Sequence, residues 1–129
     1  MDLRSKDAIE SSKQHDIQMG NILIAEFMGL INHHNDSSVM LRKVSHNNEP
    51  LINEVVPLKA LQYDTSWDWL MPIVEKIESL RDENGNAYRF TIDMGNAQIE
   101  GTNIEIVGGS CKLDTTYQAV VEFIKNQNN

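Results

Sequence analysis

Tyr63-Asp64-Thr65-Ser66-Trp67-Asp68-Trp69-Leu70-Met71-Pro72-Ile73-Val74-Glu75-Lys76-Ile77-Glu78-Ser79-Leu80 is the stretch around which the chain must organise its core. It holds both tryptophans and one of the three prolines. Trp67, Leu70, Met71, Val74, Ile77 and Leu80 or Arg81 recur at i, i+3, i+4 and i+7, the spacing of an apolar helical stripe. Glu75, Lys76, Glu78 and Ser79 lie off that stripe. Thr65 or Ser66 can cap the helix, since a short hydroxyl side chain accepts from a free N–H of the first turn. Asp68 then stands where the helix dipole favours negative charge. Pro72 lies within the first two turns, so a local bend is expected.

Downstream, Asp82-Glu83-Asn84-Gly85-Asn86 is a strong turn signal. Tyr88, Phe90, Ile92 and Met94 then alternate with Arg89, Thr91 and Asp93, as a strand with one buried and one wet face requires. Gly95-Asn96 turns the chain, Ala97 and Ile99 alternate with Gln98 and Glu100, and Ile104-Glu105-Ile106 follows. These read as a three-strand antiparallel meander. Gly108-Gly109 breaks the pattern. Leu113 to Lys125 closes the chain as a helix, with Asp114 as a cap. Its stripe is Tyr117, Val120, Val121 and Ile124, with Ala119 and Phe123 at its margin.

Upstream, Ile17 to Phe27 reads as a helix on Ile17, Asn21, Ile24 and Met28, with Gly29 as its left-handed stop. Val39 to Val44 reads as a short strand. Leu51 to Tyr63 is ambiguous because Pro57 confines any strand there to an edge. The expected fold is α+β: an antiparallel sheet of about four strands with helices packed on it, similar to an α/β/α sandwich. The expected layout is a polar arm or short helix over 1–16, one domain over 17–126 and a frayed tail over 127–129.

The 129 residues include 11 basic and 19 acidic side chains, a net charge of −8. That balance argues against direct nucleic-acid binding, which needs clustered Lys and Arg against phosphates. It suits a protein that covers a basic partner. One cysteine, Cys111, excludes an intramolecular disulfide and fits a reducing compartment. The first residues hold no apolar signal core, and no apolar run approaches the roughly 20 residues a membrane span needs. The expected location is therefore the cytoplasm, with no membrane partner.

Among groups that carry chemistry, His33-His34 with Asp36 has metal-ligand types but no supporting ligand at helical spacing, so a solvated loop is expected and no metal is assigned. His15 and His46 are isolated. Cys111 ahead of a helix has the setting of an activated thiol, but no base is placed beside it. Gly108-Gly109 before a helix resembles a phosphate cradle without the Lys of a P-loop or the third Gly of a dinucleotide fingerprint. Glu75, Glu78, Asp82 and Glu83 form an acidic end to the central helix. Trp67 and Trp69, two apart, cannot both face the core. Either an exposed Trp beside Tyr63 anchors a partner, or Trp69 packs on segment 51–63. The candidate binding residues are thus Tyr63, Trp67, Trp69, Gly108 and Gly109. No catalytic residue and no cofactor are assigned.

Three blocks carry a resemblance: Ile24-Ala25-Glu26-Phe27-Met28-Gly29, the Ser66–Glu78 segment, and Ala119-Val120-Val121-Glu122-Phe123-Ile124-Lys125. Together they are similar to small phage and prophage proteins of Bacteroidetes and to the phage ABA sandwich domain. Relatives tend to place an aromatic after the closing Phe-Ile-Lys, where this chain has Asn126. The resemblance implies helix, sheet and helix layers and a phage lineage, with no catalytic residues to carry over. The resulting expectation is a non-enzymatic phage binding protein in the host cytoplasm. It would inhibit a host defence component by masking a protein or by sequestering a small nucleotide-like ligand, the latter favouring a homodimer. The alternatives are a small enzyme acting on a nucleotide or modified base, with the Gly108-Gly109 turn and Cys111 near its site, and a structural or replication accessory protein.

Overall fold

In the computed structural model, residues 16–32, 38–44 and 52–127 are described. The His33-His34-Asp36 loop, His15, His46, most of the N-terminal arm and the last two residues lie outside them. The chain divides into two compact units, Met1–Leu61 and Gln62–Asn129.

In the first unit, α1 is helical over 16–27. It buries Asn21, Ile24 and Ala25. Its end follows from Gly29. With φ at +98°, Gly29 lets its own N–H donate to the Glu26 carbonyl at 3.0 Å, while the Leu30 N–H donates to the Ala25 carbonyl at 2.9 Å. This pair of bonds satisfies carbonyls that a helix end leaves open. Three strands follow: β1 (Ile31–Asn32), β2 (Val39–Val44) and β3 (Ile52–Pro57). They form an antiparallel sheet in the order β1-β2-β3. Arg42 stands opposite Glu54, and the two meet in an exposed ion pair at 2.7 Å. Pro57, which has no N–H to give a ladder, is the last residue of β3 and leads into a single 3-10 turn, Leu58–Ala60.

The second unit holds α2 (Trp67–Ser79), the strands β4 (Arg89–Asp93), β5 (Asn96–Glu100) and β6 (Glu105–Ile106), and α3 (Lys112–Gln127). The meander is antiparallel in the order β4-β5-β6, with Phe90 opposite Ile99 and Ile92 opposite Ala97. Helix α3 lies across all three strands, and α2 lies against α3 and β4. Tyr88 meets Phe123 edge to face, with ring centroids 5.1 Å apart, and so ties the start of β4 to α3. The turn into β4 is organised by Asp82, whose Oδ1 accepts the Asn84 and Asn86 N–H groups at 2.9 Å.

The α+β class holds. The expectation of one sheet of about four strands is matched only roughly: the described residues form two three-stranded sheets. The reason is local pairing. Strand β2 finds antiparallel partners on both sides from its own neighbours in sequence, β1 and β3, so the meander closes without it. Three smaller expectations also shift. Met94 is 76% exposed at the β4–β5 turn rather than buried as the fourth apolar residue of a strand. Helix α3 begins at Lys112, so Asp114 sits inside its first turn instead of capping it. Ser66 takes the cap position of α2 through its backbone, its carbonyl accepting from Trp69 and Leu70, without a side-chain cap bond.

Candidate functional site

The inward face of α2 is filled by Leu70, Ile73, Val74 and Ile77. The stripe read from sequence counted Trp67 and Met71 where the core takes Ile73. A helix of this width can bury only about one apolar stripe. The thirteen residues of α2 include Trp67, Trp69, Leu70, Met71, Pro72, Ile73, Val74 and Ile77. That excess of apolar residues is the signal that some must face outward.

Two of them do so together. Trp67 and Met71, each 38% exposed, lie one helical turn apart, and Pro72 is exposed next to them. Asp68 and Glu75 are exposed on the same outer face. Trp69 is only half-buried and packs edge to face on Tyr63, with centroids 5.2 Å apart and planes at 82°. Tyr63 itself is buried. The two tryptophans therefore take different jobs: Trp69 holds the entry segment against α2, and Trp67 is presented outward.

The acidic end of the helix is occupied with structure. Glu78 Oε2 accepts the Phe90 N–H at 3.4 Å, which covers a donor of strand β4. The Arg81 guanidinium donates through Nη1 to the carbonyls of Glu78, Ser79 and Leu80 at 2.9–3.2 Å, closing the C-terminal end of α2.

Gly108 and Gly109 lie elsewhere, in the connection from β6 into α3. Gly108 has φ at +73°. A Cβ on Gly109 would collide with the Thr115 side chain, and the Gly109 N–H donates to the Gly95 carbonyl at 2.9 Å. The space beside Gly109 is thus taken by Thr115, whereas a Cβ on Gly108 would meet nothing within 4 Å. The first turn of α3 already carries a carboxylate: Asp114 Oδ2 accepts from the Ser110 N–H at 3.2 Å and from Gln118 Nε2 at 2.9 Å. A negative side chain in this place opposes a phosphate. Cys111 is exposed with a free thiol. All four histidines of the chain lie outside the described residues, and among those described no group of three or more His, Cys, Asp or Glu is placed to hold a metal.

Tyr117 of α3 is buried. Burial first, and the nearby Asp64 carboxylate second, push its phenol well above the usual tyrosine range, so it stays protonated. On the wet face of the meander, Thr91, Gln98, Glu100, Thr102, Asn103 and Glu105 help line an open depression of about 510 Å³. None of the residues selected from sequence lines it. Among the described residues, no helix is long and apolar enough to cross a membrane. No protein-family model, curated protein or solved structure matches this chain.

Proposed function

We propose that the chain is a non-enzymatic binding protein that masks the surface of another protein with the outer face of α2. The observation that carries this reading is the exposure of Trp67 and Met71 one turn apart, on a helix whose inward face is already filled. Exposed apolar side chains grouped on one face mark interaction sites, and tryptophan is among the residues that dominate binding energy. The resemblance to phage and prophage proteins gives this a setting: an inhibitor acting on a host defence component in the host cytoplasm. Cys111 is exposed with a free thiol, and that alone does not support catalysis.

A photo-crosslinking side chain at position 71, expressed in a Bacteroidetes host, tests the reading. Position 118, on the exposed side of α3, serves as control. A discrete protein adduct from position 71 and none from position 118 is expected. Adducts shared by both positions, or absent from both, would overturn it.

A further inference from the structure

The outer face of α2 carries charge as well as apolar surface: Asp68 and Glu75 are exposed on it, while Lys76, half-buried in the last turn, is itself engaged. Asp68 lies beside Trp67, and Glu75 lies one turn beyond Met71, both exposed. Neither has an ion-pair partner among the described residues. The second unit holds eleven acidic and five basic residues. Two of those cations are engaged away from this face: Arg81 on the carbonyls ending α2, and Lys125 near Glu122 at 3.8 Å.

We infer that the occupant of this face is a basic protein segment, with apolar side chains that meet Trp67 and Met71 and flanking Arg or Lys side chains that meet Asp68 and Glu75. This rests on the docking reading and adds the chemistry of the partner. The indole face of Trp67 is also a favourable seat for a guanidinium. A second copy of this chain is disfavoured as the occupant. Two such faces brought together would set Asp68 and Glu75 against their own like, and like charges across an interface are costly. Nucleic acid and anionic membrane are repelled by the same carboxylates.

The test uses the full chain and two labelled helical peptides with the same leucine stripe, one flanked by arginines and one by glutamates. Binding is followed by fluorescence anisotropy across a salt series. The arginine peptide is expected to bind, to weaken as salt rises, and to exceed the glutamate peptide by roughly tenfold or more. Neutralising the face in Asp68→Asn/Glu75→Gln is expected to weaken the arginine peptide about fivefold and to flatten the salt dependence. Equal binding of the two peptides, no binding of the arginine peptide, or an unchanged double variant would overturn the inference. Failure of the underlying docking reading is separate. It shows as a Trp67→Ala variant that binds as wild type does, where a loss of roughly thirtyfold is expected. Circular dichroism of each variant confirms that the helix is retained.

Discussion

Helices α2 and α3 of the second unit treat polarity in opposite ways. Helix α3 buries residues that a sequence reader would leave wet: Thr115 and Thr116 are fully enclosed. Their hydroxyls donate to the Cys111 and Lys112 carbonyls at 2.7 Å, one turn back, so no polar group is left open. Between Thr115 and Ile124 only Gln118 and Glu122 reach solvent. Helix α2 does the reverse and leaves Trp67 and Met71 exposed while its core face is complete. The apolar content of α3 is consumed by the fold, whereas that of α2 exceeds what the fold uses. The surplus is the face proposed above for binding.

Truncation of the α3 core has the largest expected effect. Phe123→Ala should destabilise the chain by about 3–5 kcal/mol in urea unfolding, since Phe123 is 1% exposed and meets Tyr88 edge to face. A cost below about 1 kcal/mol would mean that α3 is not the enclosed helix described. Next comes the approach of the glycine turn to α3. Gly109→Ala should cost about 1–3 kcal/mol, because the new Cβ meets Thr115. In Gly109→Ala/Thr115→Ala the two costs should add to less than their sum, and strict additivity would contradict the contact.

A pH scan sharpens the enclosure of Tyr117. Its folded-state pKa is raised, so the stability it contributes is fully present below the unfolded value near 10 and is lost as pH rises above it. Wild type should lose up to about 1.4 kcal/mol per pH unit above pH 10 relative to Tyr117→Phe. Parallel profiles would show the phenol to be solvated. The smallest effect is expected on α2. Trp67→Ala and Met71→Ala should each cost about 1 kcal/mol or less in stability, because both side chains are partly in water already. Larger losses would return them to the core.

Much of the second unit could be read from residue order. Period-two alternation over Phe90, Ile92, Ala97 and Ile99 gave the meander, and Gly29 in the first unit marked the end of α1, because both signals are local. The division into two sheets was not legible. Nothing in Val39 to Val44 says which strands it will choose, and Pro57 obscured β3. The candidate site was half legible. Two tryptophans at spacing two must diverge, but which one turned outward depended on Ile73 filling the core and on Tyr63 receiving Trp69. Burial of Thr115 and Thr116 was invisible because a hydroxyl bonded to its own helix behaves as an apolar group, and sequence does not show that bond.

Acrylamide quenching of two single-tryptophan variants reads the exposure of each indole separately. Trp69→Phe leaves Trp67 as the reporter, and Trp67→Phe leaves Trp69. Strong quenching and red-shifted emission from Trp67, with weaker quenching and bluer emission from Trp69, is the predicted result. A shielded Trp67, or two reporters quenched alike, would contradict the proposal that the outer α2 face is a docking surface.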